Sequence, residues 1–293
     1  MPTTLKLAPA FLHQLGRLAL TSQRRLATLG QGDRRSPLRG NSLQVVDFRP
    51  YAPGDDVRQV DWNFYGRSGE LFVRLYEDEQ ILAVHLLIDV SRSMDWGDPN
   101  KRDVALQLAG ALAYVALNSY DRVHVGFLGE RVVGQAGPFW GRQQAAAAFA
   151  ALGAAPSSDH TDIAASITDY LTRLHRPGLV IFLSDLLSPT SEEGIRRLSA
   201  GNHEVSVIHL LAPQEIDPEP AEDIRLIDRE TNQFIEVHLD GATLAQYQQR
   251  LTEWSSGLAR LCRQRNVRYL RLGSADDLER TMIRAMRAQG ILT

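Results

Sequence analysis

The stretch ILAVHLLIDVSRSM, residues 81–94, decides the fold that we expect for this chain. Its apolar first half is typical of a buried parallel strand, and that strand ends at Asp89. A tight loop after the strand can turn the alternate residues Asp89, Ser91 and Ser93 toward one point. In open α/β sheets, the loops beyond the carboxyl ends of the strands form the ligand crevice. One carboxylate and two hydroxyls in that crevice indicate a site for a hard cation.

The same residues admit a simpler interpretation. Asp89 can cap a following helix while Ser91 and Ser93 face solvent, because Asp is a favoured residue at helix starts. The D-x-S-x-S spacing alone does not decide between a helix cap and a cation site. Other polar residues at strand ends are needed to separate the two.

The composition predicts a globular protein of one or two domains. The chain has 293 residues, of which 44% are hydrophobic, enough for one large core or two smaller ones. A formal net charge of -3 provides no overall attraction to nucleic acid or to anionic membranes. The first forty residues are locally basic but nearly lack aromatic residues for base stacking. We interpret them as a solvated or partner-facing segment, with nucleic-acid binding as the weaker alternative.

Cysteine content and hydropathy predict a cytoplasmic protein. The single cysteine, Cys262, excludes an intramolecular disulfide and a cysteine-rich zinc site, as is usual in a reducing compartment. No basic amino terminus is followed by an unbroken apolar run, and no segment reaches the roughly eighteen apolar residues that span a bilayer. We therefore expect a cytoplasmic location and no membrane span.

Residues 1–80 are predicted to form a helix and a small β-rich module. Apolar positions over residues 8–29 fit an amphipathic helix, and residues 43–51 and 70–79 alternate as exposed strands do. Between these strands, YAPGDDVRQVDWNFYGRSGE at residues 51–70 gathers four charged side chains and two aromatic residues near a Pro-Gly turn. These residues are Asp55, Asp56, Arg58, Asp61, Trp62 and Tyr65. We interpret this cluster as a buried ion-pair and aromatic lock, or alternatively as a partner-docking surface.

Residues 81–293 alternate strand and helix, which predicts an α/β domain with a doubly wound, mostly parallel sheet. An acidic insertion near residues 213–238 interrupts the pattern and carries a hairpin. The apolar strand at residues 178–183 ends at Asp185, and Thr161 lies at the start of another helix. Because parallel strands share one carboxyl edge, we expect both residues to lie near the D-x-S-x-S loop.

The predicted metal site therefore contains five oxygen-bearing side chains. Hydroxyls and carboxylates without His or Cys favour Mg²⁺ or Mn²⁺ over zinc. Few direct carboxylates would leave the ion able to bind an acidic ligand from outside, so an open coordination position would be the functional one. The five residues are Asp89, Ser91, Ser93, Thr161 and Asp185.

At these residues the chain resembles the von Willebrand factor A fold and its metal-ion-dependent adhesion site. The signature of that site is D-x-S-x-S followed by a later Thr and a later Asp, and all five positions match here. The resemblance implies that the serines and Thr161 touch the metal and that the aspartates act through water. It also implies that a carboxylate of a partner protein completes the shell.

A closer resemblance is to the bacterial DUF58 proteins. Their pattern Y-x-P-G-D-D-x-R-x-x-D-W matches residues 51–62, and Val73-Arg74, Glu77 and Lys101-Arg102 follow in similar order. This resemblance implies a non-catalytic adaptor that works beside a MoxR-type AAA+ ATPase in the assembly or activation of a larger complex.

Two positions depart from the related pattern. Arg92 stands where related domains often have a small residue, and its guanidinium can pair with Asp95 or Asp98, or repel a second cation. His160 precedes Thr161 where glycine is common, which makes His160 an alternative metal contact.

The sequence thus favours a Mg²⁺-dependent protein-interaction adaptor that is not an enzyme. The alternative is a metal-dependent hydrolase or phosphotransferase with Ser91 or Ser93 as the nucleophile. That chemistry needs a positioned acid-base group near the hydroxyl. A G-x-S-x-G elbow, a Walker loop and a Rossmann glycine fingerprint are all absent from the sequence.

Overall fold

The computed structural model describes residues 5, 7–22, 45–52, 57, 60–76, 81–174, 177–227 and 234–293. They belong to two compact units: Met1–Arg25 with Leu82–Thr293, and Leu26–Ile81. In chain order the elements are α1 (Pro9–Leu15), β1 (Val45–Pro50), α2 (Trp62–Ser68), β2 (Phe72–Tyr76), β3 (Ala83–Asp89), α3 (Lys101–Asn118), β4 (Arg122–Leu128), β5 (Val132–Trp140), α4 (Ala145–Gly153), α5 (Ile163–Arg173), β6 (Leu179–Ser184), α6 (Ser191–Ala200), β7 (Glu204–Leu211), α7 (Pro213–Ile216), β8 (Ala221–Ile227), β9 (Phe234–Leu239), α8 (Gly241–Gln264), β10 (Arg268–Gly273) and α9 (Leu278–Ala288).

A six-stranded sheet forms the centre of the larger unit, in the order β10-β7-β6-β3-β4-β5. Neighbouring strands are parallel except β4 and β5, which pair antiparallel at one edge. The prediction of a mixed α/β fold with a mostly parallel sheet is confirmed. The order places β3 and β6 side by side, so the loops that follow them meet at one edge of the sheet.

Both faces of this sheet are covered by helices. Along β3, Val84, Leu86 and Ile88 join a core with α1, α3, α4 and α9, whereas Leu87 joins a second core with α5, α6 and α8. Alternate strand residues point to opposite faces. A strand with apolar residues at both sets of positions must therefore be buried on both sides, as β3 is throughout.

Helix α3 crosses the centre of one face and begins beside the carboxyl edge of the sheet. Asn100 caps it, because its side chain accepts hydrogen bonds from the backbone N–H groups of Arg102 and Asp103. Most residues of the helix are buried, including Lys101 at its first position. The cap therefore fixes a lysine close to the strand ends that were predicted to bind a cation.

The amino-terminal helix is shorter than expected and belongs to the larger unit. It ends at Leu15, because the chain turns at Gly16 and then extends so that Leu20 forms a β-bridge with Leu292. The prediction of a helix over residues 8–29 is therefore wrong over residues 16–22, and residues 23–29 lie outside the described residues. Phe11 and Leu15 pack into the core against α3. The helix thus packs with the sheet unit, whereas the sequence grouped it with β1 and β2.

The smaller unit contains the predicted pair of strands, β1 and β2, which are antiparallel. Asp61 caps helix α2 by accepting hydrogen bonds from the backbone N–H groups of Asn63 and Phe64. Trp62 and Tyr65 are exposed and meet edge to face, with ring centroids 6.1 Å apart. The remainder of the acidic cluster, at residues 53–56 and 58, lies outside the described residues, as does Glu77.

The insertion after β7 begins with the short helix α7 and continues as the antiparallel hairpin β8–β9. The residues between the two strands, 228–233, lie outside the described residues. Among the helices that the structure describes, none is long and apolar enough to cross a membrane.

Candidate metal centre

Asp89 ends β3 and is 1% exposed. Its Oδ1 accepts a hydrogen bond from the backbone N–H of Ser91 at 3.0 Å, and its Oδ2 accepts one from the Ser184 hydroxyl at 2.7 Å. Burial and the charge of Asp185 raise the pKa of Asp89 to about 7, although the hydrogen bonds from Ser184 and Ser91 oppose the shift. The cap of the next helix is Asn100 and not Asp89, so the helix-capping interpretation is wrong.

The two serines of the loop lie together. The Oγ atoms of Ser91 and Ser93 are 2.9 Å apart, and Ser91 is 1% exposed. Val90 and Met94 are buried in the core beneath them, and Arg92 faces solvent. The side chains of Ser91 and Ser93 thus meet, as the alternation of residues 91 and 93 predicted, and the Asp89 carboxylate is bonded to the backbone of Ser91.

Thr161 lies on a loop that is attached to this same edge. The backbone N–H of Ser158 donates to the carbonyl of Val90 at 2.9 Å, and that of Asp162 donates to the carbonyl of Gly129 at 3.2 Å. The Oγ1 atom of Thr161 is buried and has no hydrogen-bond partner among the described residues. Because burying a polar atom without a partner costs about 1–3 kcal/mol, this hydroxyl is a candidate ligand atom.

The structure shows the surroundings of Arg92 and His160, the two residues that depart from the related pattern. Arg92 pairs with Asp159 at 3.7 Å, so the prediction of a pair with Asp95 or Asp98 is wrong. The alternation of the loop turns the guanidinium outward toward residue 159, and the pair is too exposed to contribute much stability. The side chain of His160 is exposed, whereas the Thr161 hydroxyl is buried. The burial pattern therefore favours Thr161 over His160 as the ligand.

Asp185 follows β6 and is 1% exposed. Its Oδ2 accepts a hydrogen bond from Lys101 Nζ at 2.7 Å, and its Oδ1 accepts one from the backbone N–H of Leu187 at 3.2 Å. Leu186 between them has a φ of 57°, a left-handed conformation that branched side chains rarely adopt. Such strain persists where the surrounding structure holds the backbone in place.

Lys101 belongs to the related sequence pattern, but no role at the site was predicted for it. Its side chain is completely buried, and its Nζ donates to both Asp185 and Oε1 of Glu215, the latter at 2.6 Å. Burial alone would lower the pKa of Lys101, but the ion pairs with Asp185 and Glu215 raise it. A signal was present in the sequence: a lysine in the first turn of a helix opposes the helix dipole, so it needs acidic neighbours.

These donors suit a hard divalent cation. Three hydroxyls, from Ser91, Ser93 and Thr161, accompany two buried carboxylates whose mutual repulsion a cation would relieve. Within the described ranges, no group of three or more His, Cys, Asp or Glu side chains is placed to hold a metal ion. An ion at this edge would therefore depend on hydroxyl oxygens for its direct contacts.

Comparisons with known proteins agree with the pattern at residues 51–62. The profile of the family described as "Protein of unknown function DUF58" matches residues 47–256. The chain belongs to this family. Two similar proteins are the uncharacterized protein Rv1480 of Mycobacterium tuberculosis and the uncharacterized protein Mb1516 of Mycobacterium bovis. Each is 26% identical over 291 residues, which cover 97% of this chain and 92% of the relative.

Among solved structures, the chain is similar to the conserved hypothetical protein BatB from Bacteroides thetaiotaomicron. That comparison has a TM-score of 0.43 and 16% identity, and covers 71% of this chain and 98% of that one. An aerotolerance-related membrane protein from Bacteroides fragilis gives a TM-score of 0.42 at 16% identity, with the same coverage of 71% and 98%.

Proposed function

We propose that this chain is a non-catalytic adaptor whose von Willebrand factor A-like domain binds a protein partner through a divalent cation, Mg²⁺ or Mn²⁺. The partner would be a MoxR-type AAA+ ATPase or its client, in the assembly or activation of a larger complex. The observation that carries the proposal is the buried Thr161 hydroxyl, which has no partner among the described residues, on a loop attached to the Ser91–Ser93 loop.

The hydrogen bonds of the two carboxylates support indirect roles for them. Both oxygens of Asp89 and both oxygens of Asp185 already accept hydrogen bonds from the chain. In the proposal, the three hydroxyls contact the ion, while the aspartates supply negative charge through water. Neutral hydroxyl ligands leave the ion its full charge, so an acidic side chain from a partner is the ligand that it would favour.

A hydrolase or phosphotransferase that uses Ser91 is the second candidate. Its support is Asp89, a carboxyl group with a pKa of about 7 that lies close enough to Ser91 for hydrogen bonding. Against it, each oxygen of Asp89 already accepts a hydrogen bond, from the Ser91 backbone and from the Ser184 hydroxyl. The other candidate base, His160, is exposed, and no contact of its side chain with Ser91 or Ser93 is found among the described residues. The adaptor therefore accounts better for these contacts.

The test combines metal binding, partner capture and turnover. Mn²⁺ binding to the full chain would be followed by electron paramagnetic resonance. Capture of a purified MoxR-type ATPase would be compared in Mg²⁺ and in EDTA. The double variant Ser91→Ala/Ser93→Ala should lose both responses, whereas Ser199→Ala, which removes a hydroxyl bonded to a helix carbonyl, should keep them. Metal-dependent phosphatase or esterase turnover that the double variant abolishes would instead favour the enzyme.

A further inference from the structure

We infer that Lys101 is a built-in counter-cation of the candidate metal centre. It neutralises Asp185 and so keeps the site weak for a divalent ion until a partner adds its own carboxylate. This inference rests on the proposed metal-dependent function and adds to it the residue that sets the affinity.

The charge on Lys101 is held in place by contacts on two sides. Its Nζ lies 2.7 Å from Asp185 Oδ2 and 2.6 Å from Glu215 Oε1. The side chain is 0% exposed, and a buried ammonium stays charged only when it is paired. The Trp96 ring covers it, with the Nζ atom 5.8 Å from the ring centroid. Lys101 is therefore a fixed positive charge beside the candidate ligands.

Local structure gives no reason for a lysine at this position. Asn100 caps the helix, and acidic side chains are favoured in the turn that follows, whereas a cation opposes the helix dipole. Full burial of the ammonium adds a desolvation cost. Because the helix dipole and burial both disfavour Lys101, its placement is explained by the acidic residues that it contacts.

Lys101 lowers the net negative charge that a metal ion would encounter at the site. Asp89 and Asp185 lie at the ends of neighbouring strands, and Ser184, the residue before Asp185, donates a hydrogen bond to Asp89 Oδ2 at 2.7 Å. Two such carboxylates would attract a divalent ion strongly, but Lys101 cancels the charge of Asp185 and repels the ion. A carboxylate from a partner restores the missing negative charge. Cation binding and partner binding would therefore reinforce each other.

Glu215 also balances the positive charge of Lys101. Its Oε1 pairs with Lys101, while its Oε2 accepts a hydrogen bond from the backbone N–H of Ala212 at 2.8 Å. Neutralising Glu215 would remove one of the two negative charges that balance Lys101. The lysine would then repel a metal ion more strongly. The Lys101 and Glu215 variants should therefore change metal affinity in opposite directions, which general damage to the site would not do.

The experiment measures Mn²⁺ binding to the full chain, without a partner, by electron paramagnetic resonance of the free ion. Lys101→Met should bind Mn²⁺ roughly tenfold more tightly than the unmodified chain, and Glu215→Gln should bind it several-fold more weakly. Thermal unfolding should also show that Mn²⁺ raises the melting temperature of Lys101→Met more than that of the unmodified chain, because the ion replaces the lost charge.

Three outcomes would overturn the inference. The first is equal or weaker Mn²⁺ binding by folded Lys101→Met. The second applies if that variant does not fold: Glu215→Gln would then bind Mn²⁺ as tightly as the unmodified chain, or more tightly. The third is no Mn²⁺ binding by the unmodified chain or by any variant, including Lys101→Met. Only that third outcome would also refute the proposed function, so the two failures can be distinguished.

Discussion

The hydroxyl of Ser184 donates to Oδ2 of Asp89 at 2.7 Å and joins the carboxyl ends of two neighbouring parallel strands. The same hydroxyl accepts a hydrogen bond from the backbone N–H of Leu186 at 2.9 Å. Both Ser184 and Asp89 are buried. One side chain thus fixes the orientation of the Asp89 carboxylate and the start of the loop that carries Asp185.

Replacing Ser184 with alanine should destabilise the fold. The change leaves one oxygen of a buried carboxylate and one backbone N–H without a partner, which costs about 1–3 kcal/mol. Urea unfolding of Ser184→Ala should show a lower midpoint with an unchanged slope. Ser199→Ala is the matched control, and its free energy of unfolding should lie within about 0.5 kcal/mol of that of the parent chain. A Ser184 variant as stable as this control would contradict the role given to the hydroxyl.

Replacing Thr161 with valine should separate metal binding from stability. Valine matches the shape of threonine, and the Thr161 hydroxyl has no hydrogen bond to lose among the described residues. Metal-free Thr161→Val should therefore be at least as stable as the parent chain, while its Mn²⁺ affinity should fall about tenfold or more. Calorimetric titration and thermal unfolding measure the two quantities.

Thr172→Val is the control for that substitution. The Thr172 hydroxyl is exposed and bonds the carbonyl of Asp169 within its own helix. Mn²⁺ affinity should be unchanged in this variant. Equal affinities for the two threonine variants would remove Thr161 from the candidate ligand set.

Asp121 should make stability depend on pH. Burial raises the pKa of Asp121 to about 7, while the hydrogen bond from the backbone N–H of Leu82 opposes the shift. The folded state then holds a proton that the unfolded state has lost, so this group lowers stability as pH rises from about 4 to about 7.

Asp121→Asn keeps the acceptor oxygen and cannot ionise. The variant should have the same free energy of unfolding as the parent chain near pH 4 and a higher one at pH 8. Each unit of pKa shift in the parent chain corresponds to about 1.4 kcal/mol of this difference. Urea unfolding across this pH range measures the difference. Asp89 has a raised pKa as well, so the slope should become smaller without vanishing. Parallel profiles for the two proteins would show that Asp121 has an ordinary pKa.

Leu15→Ala tests whether helix α1 is part of the larger unit. Leu15 is completely buried and packs in the core that contains α3. Removing its side chain should lower the free energy of unfolding, measured in urea, by about 2–5 kcal/mol. Gln14→Ala, at an exposed position of the same helix, should have little effect. A small effect of Leu15→Ala would mean that the helix contributes little to the fold.

The parallel sheet could be predicted because hydrophobic periodicity is a local property. Apolar runs at β3 and β6 are too short for helices and are followed by polar residues, so they indicate strands that end at one edge. The sequence also indicates the antiparallel hairpin β4–β5, because Gly129-Glu130 separates two strand-like segments at residues 122–128 and 131–135. The predicted amino-terminal helix was too long, because the apolar spacing in the sequence continues past Leu20, which forms a β-bridge with Leu292.

The five candidate ligands could be chosen from the sequence, but the contacts around them could not. By itself the sequence determined the family, the alternation that brings the hydroxyls of Ser91 and Ser93 together, and the strand ends that carry Asp89 and Asp185. Only the tertiary structure decided that Lys101, eighty-four residues away along the chain, pairs with Asp185, and that Glu215 completes this ion pair. The physical reason is that periodicity depends on neighbours in sequence, whereas ion pairing depends on distances that exist only after the sheet has formed.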